Sequence, residues 1–130
     1  MEEPRWVKKT SVLAAHARQI SAYGGASGIR DEGLLESALS RPQNLFFYGE
    51  GVVDLPSLAA AYAYGLANNH SFVDGNKRTA LVVSFLFLAK NGKTTGSTEE
   101  DNYSTFMTLA AGELTEDALA GWFLRNLKEL

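Results

Sequence analysis

The sequence predicts an all-α protein, a compact helical bundle around a buried central helix with a short loop or hairpin flap. Apolar residues recur at three- and four-residue spacings through most of the chain, the period of a helix face. Glycine, proline, Asp and Thr stand where those periodic stretches should start and stop. Apolar residues make up 45% of the 130 residues, ample for a core.

Residues 8–23 place Val12, Leu13, His16, Ile20 and Tyr23 on one helical face, and Gly24-Gly25 ends the run. Asp31 suits the cap of a second, short helix carrying Leu34, Leu35, Ala38 and Leu39. That helix should stop near Arg41, because Pro42 disfavours helical geometry in the residue before it. Residues 42–53 mix aromatics and valines with two glycines, which predicts the loop or hairpin. A third helix is expected from Asp54 to about Asn69, with Pro56 in its first turn. A fourth should run from about Asn76 to Asn91 and end at Gly92. Because Leu81, Val82, Phe85, Val83, Leu86 and Phe87 make it apolar all round, it is the expected central helix. Thr98 with Asp101 resembles a capping box for a fifth helix reaching Leu114. Thr115 suits the cap of a last helix holding Leu119, Trp122, Phe123 and Leu127.

The length suits one domain, 1–130, able to bury roughly two-thirds of its unfolded surface. A net charge of −3 argues against a general nucleic-acid coat, and no direct nucleic-acid binding is expected. With no Cys in the chain, disulfides, thiolate metal sites and Cys nucleophiles are excluded. Two His, His16 and His70, make a multi-histidine metal centre improbable. The acidic start, Met-Glu-Glu-Pro-Arg-Trp, is not a signal peptide. The most apolar run, residues 80–89, is half the ~20 residues that span a bilayer. A cytoplasmic location without membrane contact is therefore the expectation.

One segment breaks local rules. The fourth helix opens with Asn76-Lys77-Arg78, and two cations at a helix N-terminus oppose its macrodipole by some ~0.3–1 kcal/mol each. An anion resolves the conflict. Free N–H groups of the first turn, with Lys77 and Arg78, suit a phosphate, and Gly75 permits close approach. The alternative is that Lys77 and Arg78 are solvated, or that Arg78 pairs with Asp74 or Asp31. Just upstream stands His70, a side chain suited to general acid–base work, with the carboxylate of Asp74 four residues later. Asp74 beside a phosphate suits Mg²⁺, which commonly takes one or two carboxylates plus phosphate oxygens. Alternatively His70 caps the third helix and Asp74 the fourth. Phe72 reads as a buried anchor and His16 as a packed core histidine. A P-loop fails, because His70 stands where its first Gly belongs, and no zinc-protease His-Glu-x-x-His is present.

The string His70-Ser71-Phe72-Val73-Asp74-Gly75-Asn76-Lys77-Arg78-Thr79-Ala80 resembles the Fic/Doc superfamily, and within it the Doc (death-on-curing) branch. The Fic pattern is His-Pro-Phe-x-Asp/Glu-Gly-Asn-Gly-Arg, and Doc proteins carry Lys at the second Gly. Further similarity lies in Gly28-Ile29-Arg30-Asp31, Leu35-Glu36-Ser37-Ala38, Arg41-Pro42 and Asn91-Gly92. Ser71 stands where Pro is usual, and Gly75 is the residue of the Fic pattern.

The resemblance implies a Fic-type fold and transfer of a phosphate-containing group from a nucleotide to a protein hydroxyl. By motif, His70 takes the role of base, Asp74 that of Mg²⁺ ligand, and Asn76 and Arg78 those of phosphate contacts. His70, Asp74 and Arg78 are thus the expected catalytic residues. Gly75, Asn76, Lys77 and Arg78 are the expected nucleotide or phosphate site. In the Doc branch, Lys at the place of Lys77 goes with a reversed nucleotide that presents its γ-phosphate. That implies an ATP- and Mg²⁺-dependent kinase toxin acting on a threonine of elongation factor Tu. No Ser/Thr-x-x-x-Glu-Gly/Asn motif appears, since Glu100 follows the Thr95 to Glu99 spacing, so a separate Phd-type antitoxin is the implied regulator. Such a partner is expected between the first helix and residues 42–53, near Phe46, Phe47 and Tyr48. The runner-up activity is protein adenylylation, and a different class is a non-catalytic anion- or partner-binding domain.

Overall fold

A computed structural model describes residues 1–51 and 53–130. In chain order the helices are α1 (Lys9–Tyr23), α2 (Glu32–Tyr48), α3 (Leu55–Asn68), α4 (Asn76–Lys90), α5 (Glu99–Ala110) and α6 (Glu116–Asn126). Two short strands, β1 (Lys93–Thr95) and β2 (Leu127–Glu129), pair antiparallel with Lys93 opposite Glu129 and Thr95 opposite Leu127. The all-α class holds. No helix among the described residues is long and apolar enough to cross a membrane.

The centre of the bundle is α3, not the fourth helix as its composition suggested. Ala59, Ala60, Ala61, Tyr62, Ala63 and Leu66 have no exposed surface, and α2, α4, α5 and α6 all pack on α3. Small side chains explain this, because Ala and Gly let neighbouring backbones close in on every side. At Gly65 the approach is so tight that an added Cβ would lie 3.2 Å from Ala38 Cα and 3.3 Å from Ala38 Cβ. Asp54 and Ser57 start α3 with a reciprocal capping box at 2.9 and 3.0 Å. By contrast α4 buries only Thr79, Ala80, Val83, Ser84, Phe87 and Leu88, while Leu81, Val82, Phe85 and Leu86 stay half-buried beside open hollows.

A second correction concerns Pro42. Instead of stopping near Arg41, α2 continues through Pro42 to Tyr48, so residues 42–48 are helix and not a flap. An interior proline costs a helix roughly 3 kcal/mol. Here Leu35, Ala38 and Pro42 form the buried stripe of α2, and burial against α3 outweighs that cost. Of the remaining flap residues, 49–51 and 53 lie outside helix and strand, and Val52 lies outside the described residues. The two strands that do form lie at β1 and β2. There α5 ends at Ala110 rather than Leu114, and Leu127 opens β2 instead of prolonging α6.

Phe46 packs edge-on against Trp6 with ring centroids 5.8 Å apart, and Trp6 stacks on Phe87 at 6.0 Å. The adjoining N-terminal segment is tied down by Asn91, whose side chain bonds the Arg5 N–H and carbonyl at 2.8 and 3.0 Å. The Val7 N–H donates to the Tyr62 hydroxyl at 3.0 Å, and burial pushes that phenol up to about 12. Phe47 and Tyr48 are exposed on the last turn of α2. The hollows beside α1 open onto α4.

The Gly65 contact leads to a stability prediction. Gly65→Ala should gain roughly 1 kcal/mol of helix propensity but lose roughly 1–3 kcal/mol to crowding of α2. A net destabilisation of about 1 kcal/mol is expected in urea unfolding, and a more stable variant would show that α2 moves aside freely.

Candidate active site

The segment joining α3 to α4 carries the sequence-predicted residues, and its geometry follows from three anchors. Phe72 is buried, 1% exposed, and stacks on the His16 ring of α1 with centroids 3.8 Å apart. His16 is itself 5% exposed, and its Nε2–H donates to the Asp74 carbonyl at 2.8 Å, which defines the protonated nitrogen. It is the packed, hydrogen-bonded histidine expected from its place on α1. The third anchor is Asn76. Its Nδ2 donates to the Phe72 carbonyl at 2.9 Å, and its Oδ1 accepts from the Phe72 N–H at 3.0 Å. The Asn76 side chain therefore shapes the loop, leaving its backbone N–H for an anion.

Gly75 precedes α4 with φ of 81°, a left-handed value that an L side chain adopts only with strain. An added Cβ would also lie 3.2 Å from Ile20 Cδ1. The turn leaves α4 without a side-chain cap, whereas Asp31, Asp54, Thr98 and Thr115 cap α2, α3, α5 and α6. Among the described residues no acceptor meets the N–H groups of Asn76, Lys77 and Arg78. No acidic residue lies in this first turn either. These are the elements of an anion site at a helix N-terminus.

The side chains diverge from there. Arg78 lays its guanidinium over the Tyr23 ring, 4.3 Å from the centroid. It pairs with neither Asp74 nor Asp31 among the described residues. Lys77 reaches toward α5, its ammonium 5.7 Å from the Tyr103 centroid and in contact with the Met107 sulfur. His70 is exposed, and it is not the cap of α3, since Asn69 holds that place. Asp74 is also exposed and does not cap α4. Its Oδ2 accepts from the Ala26 N–H at 2.7 Å, tying it to the α1–α2 loop, while Oδ1 takes no hydrogen bond among the described residues. One carboxylate with a free oxygen beside the bare helix start is a group that could hold Mg²⁺. No cluster of three or more metal-ligating side chains is present among the described residues.

Beside Arg78 opens a cleft of about 600 Å³ lined by Gln19 and Tyr23 of α1, Leu81, Val82 and Phe85 of α4, and Glu99, Asn102 and Tyr103 of α5. Its apolar floor and polar rim suit a small-molecule site. Reasoning from sequence missed two contributors, Tyr23 as the platform under Arg78 and Arg30, which grips the loop backbone. The unused polarity of Gly28-Ile29-Arg30-Asp31 between two helices was the available signal for Arg30.

The family described as Fic/DOC matches residues 6–88, which run from before α1 into the last turn of α4 and include the whole loop before it. Over 88 residues the chain is 40% identical to "Protein kinase doc" of Escherichia phage P1, covering 68% of this chain and 69% of that protein. Over 71 residues it is 45% identical to "Toxin Doc" of Mycolicibacterium smegmatis (strain ATCC 700084 / mc(2)155), covering 55% of each. The matched family segment stops before α5, so Glu99, Asn102 and Tyr103 form a cleft wall beyond it.

The double bond pattern of Asn76 can be tested directly. Asn76→Ala strands the Phe72 N–H and carbonyl, and a lost buried partner costs roughly 1–3 kcal/mol. Unfolding midpoints should drop accordingly, with faster hydrogen exchange at the Phe72 amide. Wild-type exchange at that amide would show that the loop holds its shape without Asn76.

Proposed function

The chain belongs to the Fic/DOC family, and on that premise we propose that it is a toxin of a toxin–antitoxin pair that phosphorylates a protein. In this reading it moves the γ-phosphate of ATP to a Ser or Thr hydroxyl, with elongation factor Tu as the expected target and translation arrest as the outcome. The observation that carries the reading is the uncapped start of α4, with bare N–H groups, Lys77 and Arg78 in one turn and the exposed His70 upstream. A relative named as a protein kinase supports phosphoryl rather than nucleotidyl transfer.

His70 accepts the proton of the target hydroxyl as its oxygen bonds to the γ-phosphorus. The bond from that phosphorus to the β,γ-bridging oxygen breaks, and ADP leaves with both electrons. The first-turn N–H groups and Arg78 hold the phosphates, while Tyr23 keeps Arg78 in place. Asp74 would hold Mg²⁺, which supplies neutralisation of phosphate charge. Phosphoryl transfer asks mainly for positioning and charge stabilisation, and these groups are of the kind that supply both. The cleft beside Arg78 would take the rest of the nucleotide.

The cleft adjoins a second hollow of about 320 Å³, lined by Ala14, Arg18 and Leu86, and the two share Gln19 and Val82. Together they make a seam along α1 and α4 with an apolar floor. A Phd-type antitoxin fits here by laying an amphipathic segment in the seam and covering the nucleotide cleft.

A second reading, AMP transfer, is favoured by Gly75, which is the residue of the Fic pattern at this place. ATP labelled separately at the α and γ positions separates the two. Label entering protein from γ alone supports the kinase, and label from α alone overturns it.

His70→Ala should lower transfer by about 10²–10⁴ while nucleotide binding stays near wild type, because a base acts on the hydroxyl proton. Activity within a few-fold of wild type would remove His70 from this role. Lys77→Gly should lower γ-transfer sharply, with weak AMP transfer as a gain, assayed at saturating ATP and Mg²⁺. Undiminished γ-transfer would mean that Lys77 only packs on Tyr103 and Met107.

A further inference from the structure

His70 is the one non-glycine residue with positive φ among the described residues, at 53°. Such strain persists only where surrounding contacts over-determine it. The contacts here come from the loop between α1 and α2. Arg30 donates from Nε to the His70 carbonyl at 2.6 Å and from Nη2 to the Asn69 carbonyl at 3.4 Å. The backbone N–H groups of Arg30 and Asp31 both donate to the Ser71 carbonyl, at 2.8 and 3.1 Å, and the Val73 N–H donates to the Gly28 carbonyl at 3.2 Å. Ile29 and Phe72 complete an antiparallel bridge.

The guanidinium has no carboxylate partner among the described residues, so these carbonyls are its partners. Three successive carbonyls, of Asn69, His70 and Ser71, are thus held by one residue and its neighbour. A carbonyl held on each side leaves the His70 peptide little freedom to rotate. The imidazole direction follows from that backbone, since Cα–Cβ points where φ and ψ send it.

We propose that Arg30 is a positioning residue for His70, holding its backbone in the left-handed conformation that aims the imidazole at the acceptor hydroxyl. This rests on the reading of His70 as the base. Arg30 touches neither nucleotide nor hydroxyl in this account and acts through His70.

The test uses the 130-residue chain and three variants, Arg30→Ala, Arg30→Lys and His70→Ala. Three readouts are taken: γ-phosphoryl transfer to the acceptor identified by the labelling experiment, equilibrium ATP affinity, and the His70 φ derived from backbone chemical shifts by NMR. Arg30→Ala should reduce kcat by about 10–100-fold, the cost of misplacing a reacting group by about an ångström, with ATP affinity unchanged. The same variant should move His70 out of positive φ while the rest of the spectrum stays folded. Arg30→Lys, with one ammonium in place of a fork, should restore part of kcat. Unchanged kcat overturns the proposal, and so does a His70 φ that stays positive. Lost ATP affinity with positive φ retained would make Arg30 a phosphate contact instead. If His70→Ala keeps its activity, the base reading falls by itself, and the φ measurement still decides whether Arg30 holds His70.

Discussion

The site depends on the stack of Phe72 on His16, the point where the loop before α4 is nailed to α1. With Phe72 buried and Asp74's carbonyl bound by His16, the chain enters α4 through the left-handed turn at Gly75. That turn leaves nothing from the protein over the first N–H groups of the helix. Asn76 then closes the loop on Phe72 from the other side. The bare start of α4 is therefore a by-product of how the loop is pinned.

Pinning of this kind needs a rigid base, and α3 supplies it. Its alanines and Gly65 let α2 and α4 pack closely on either side of it. The bulky residues were placed elsewhere. On α4 the half-buried Leu81, Val82 and Phe85 keep α1 and α5 apart, so a cleft opens beside Arg78 instead of a sealed core. Packing density and cavity thus come from the same rule, since small residues close distances and large ones at a helix rim hold them open.

Most helix starts were legible in the sequence because capping is local. Asp31, Asp54, Thr98 and Thr115 each bind an N–H three residues on, and no distant residue takes part. The conflict at Asn76-Lys77-Arg78 was legible for the same reason, as helix polarity belongs to one segment. Pro42 was misread because the local rule was overruled by burial of the Leu35, Ala38 and Pro42 stripe. The pairing of Lys93–Thr95 with Leu127–Glu129 escaped notice because its partners are far apart in the chain and each strand is too short to show alternation.

The sequence by itself determined the helical class, the cap residues, the absence of cysteine chemistry and the run from His70 to Arg78 that carries the charge conflict. Each is a property of neighbours along the chain, acting within one or two turns. Only the tertiary structure decided that α3 is the centre, that Tyr23 lies under Arg78, that Lys77 turns toward α5 and that Arg30 grips the carbonyls behind His70. Those contacts join residues 39 or more positions apart in the cases of Arg30 and Tyr23. They are selected by which helix faces can be buried together, a choice that no local pattern encodes.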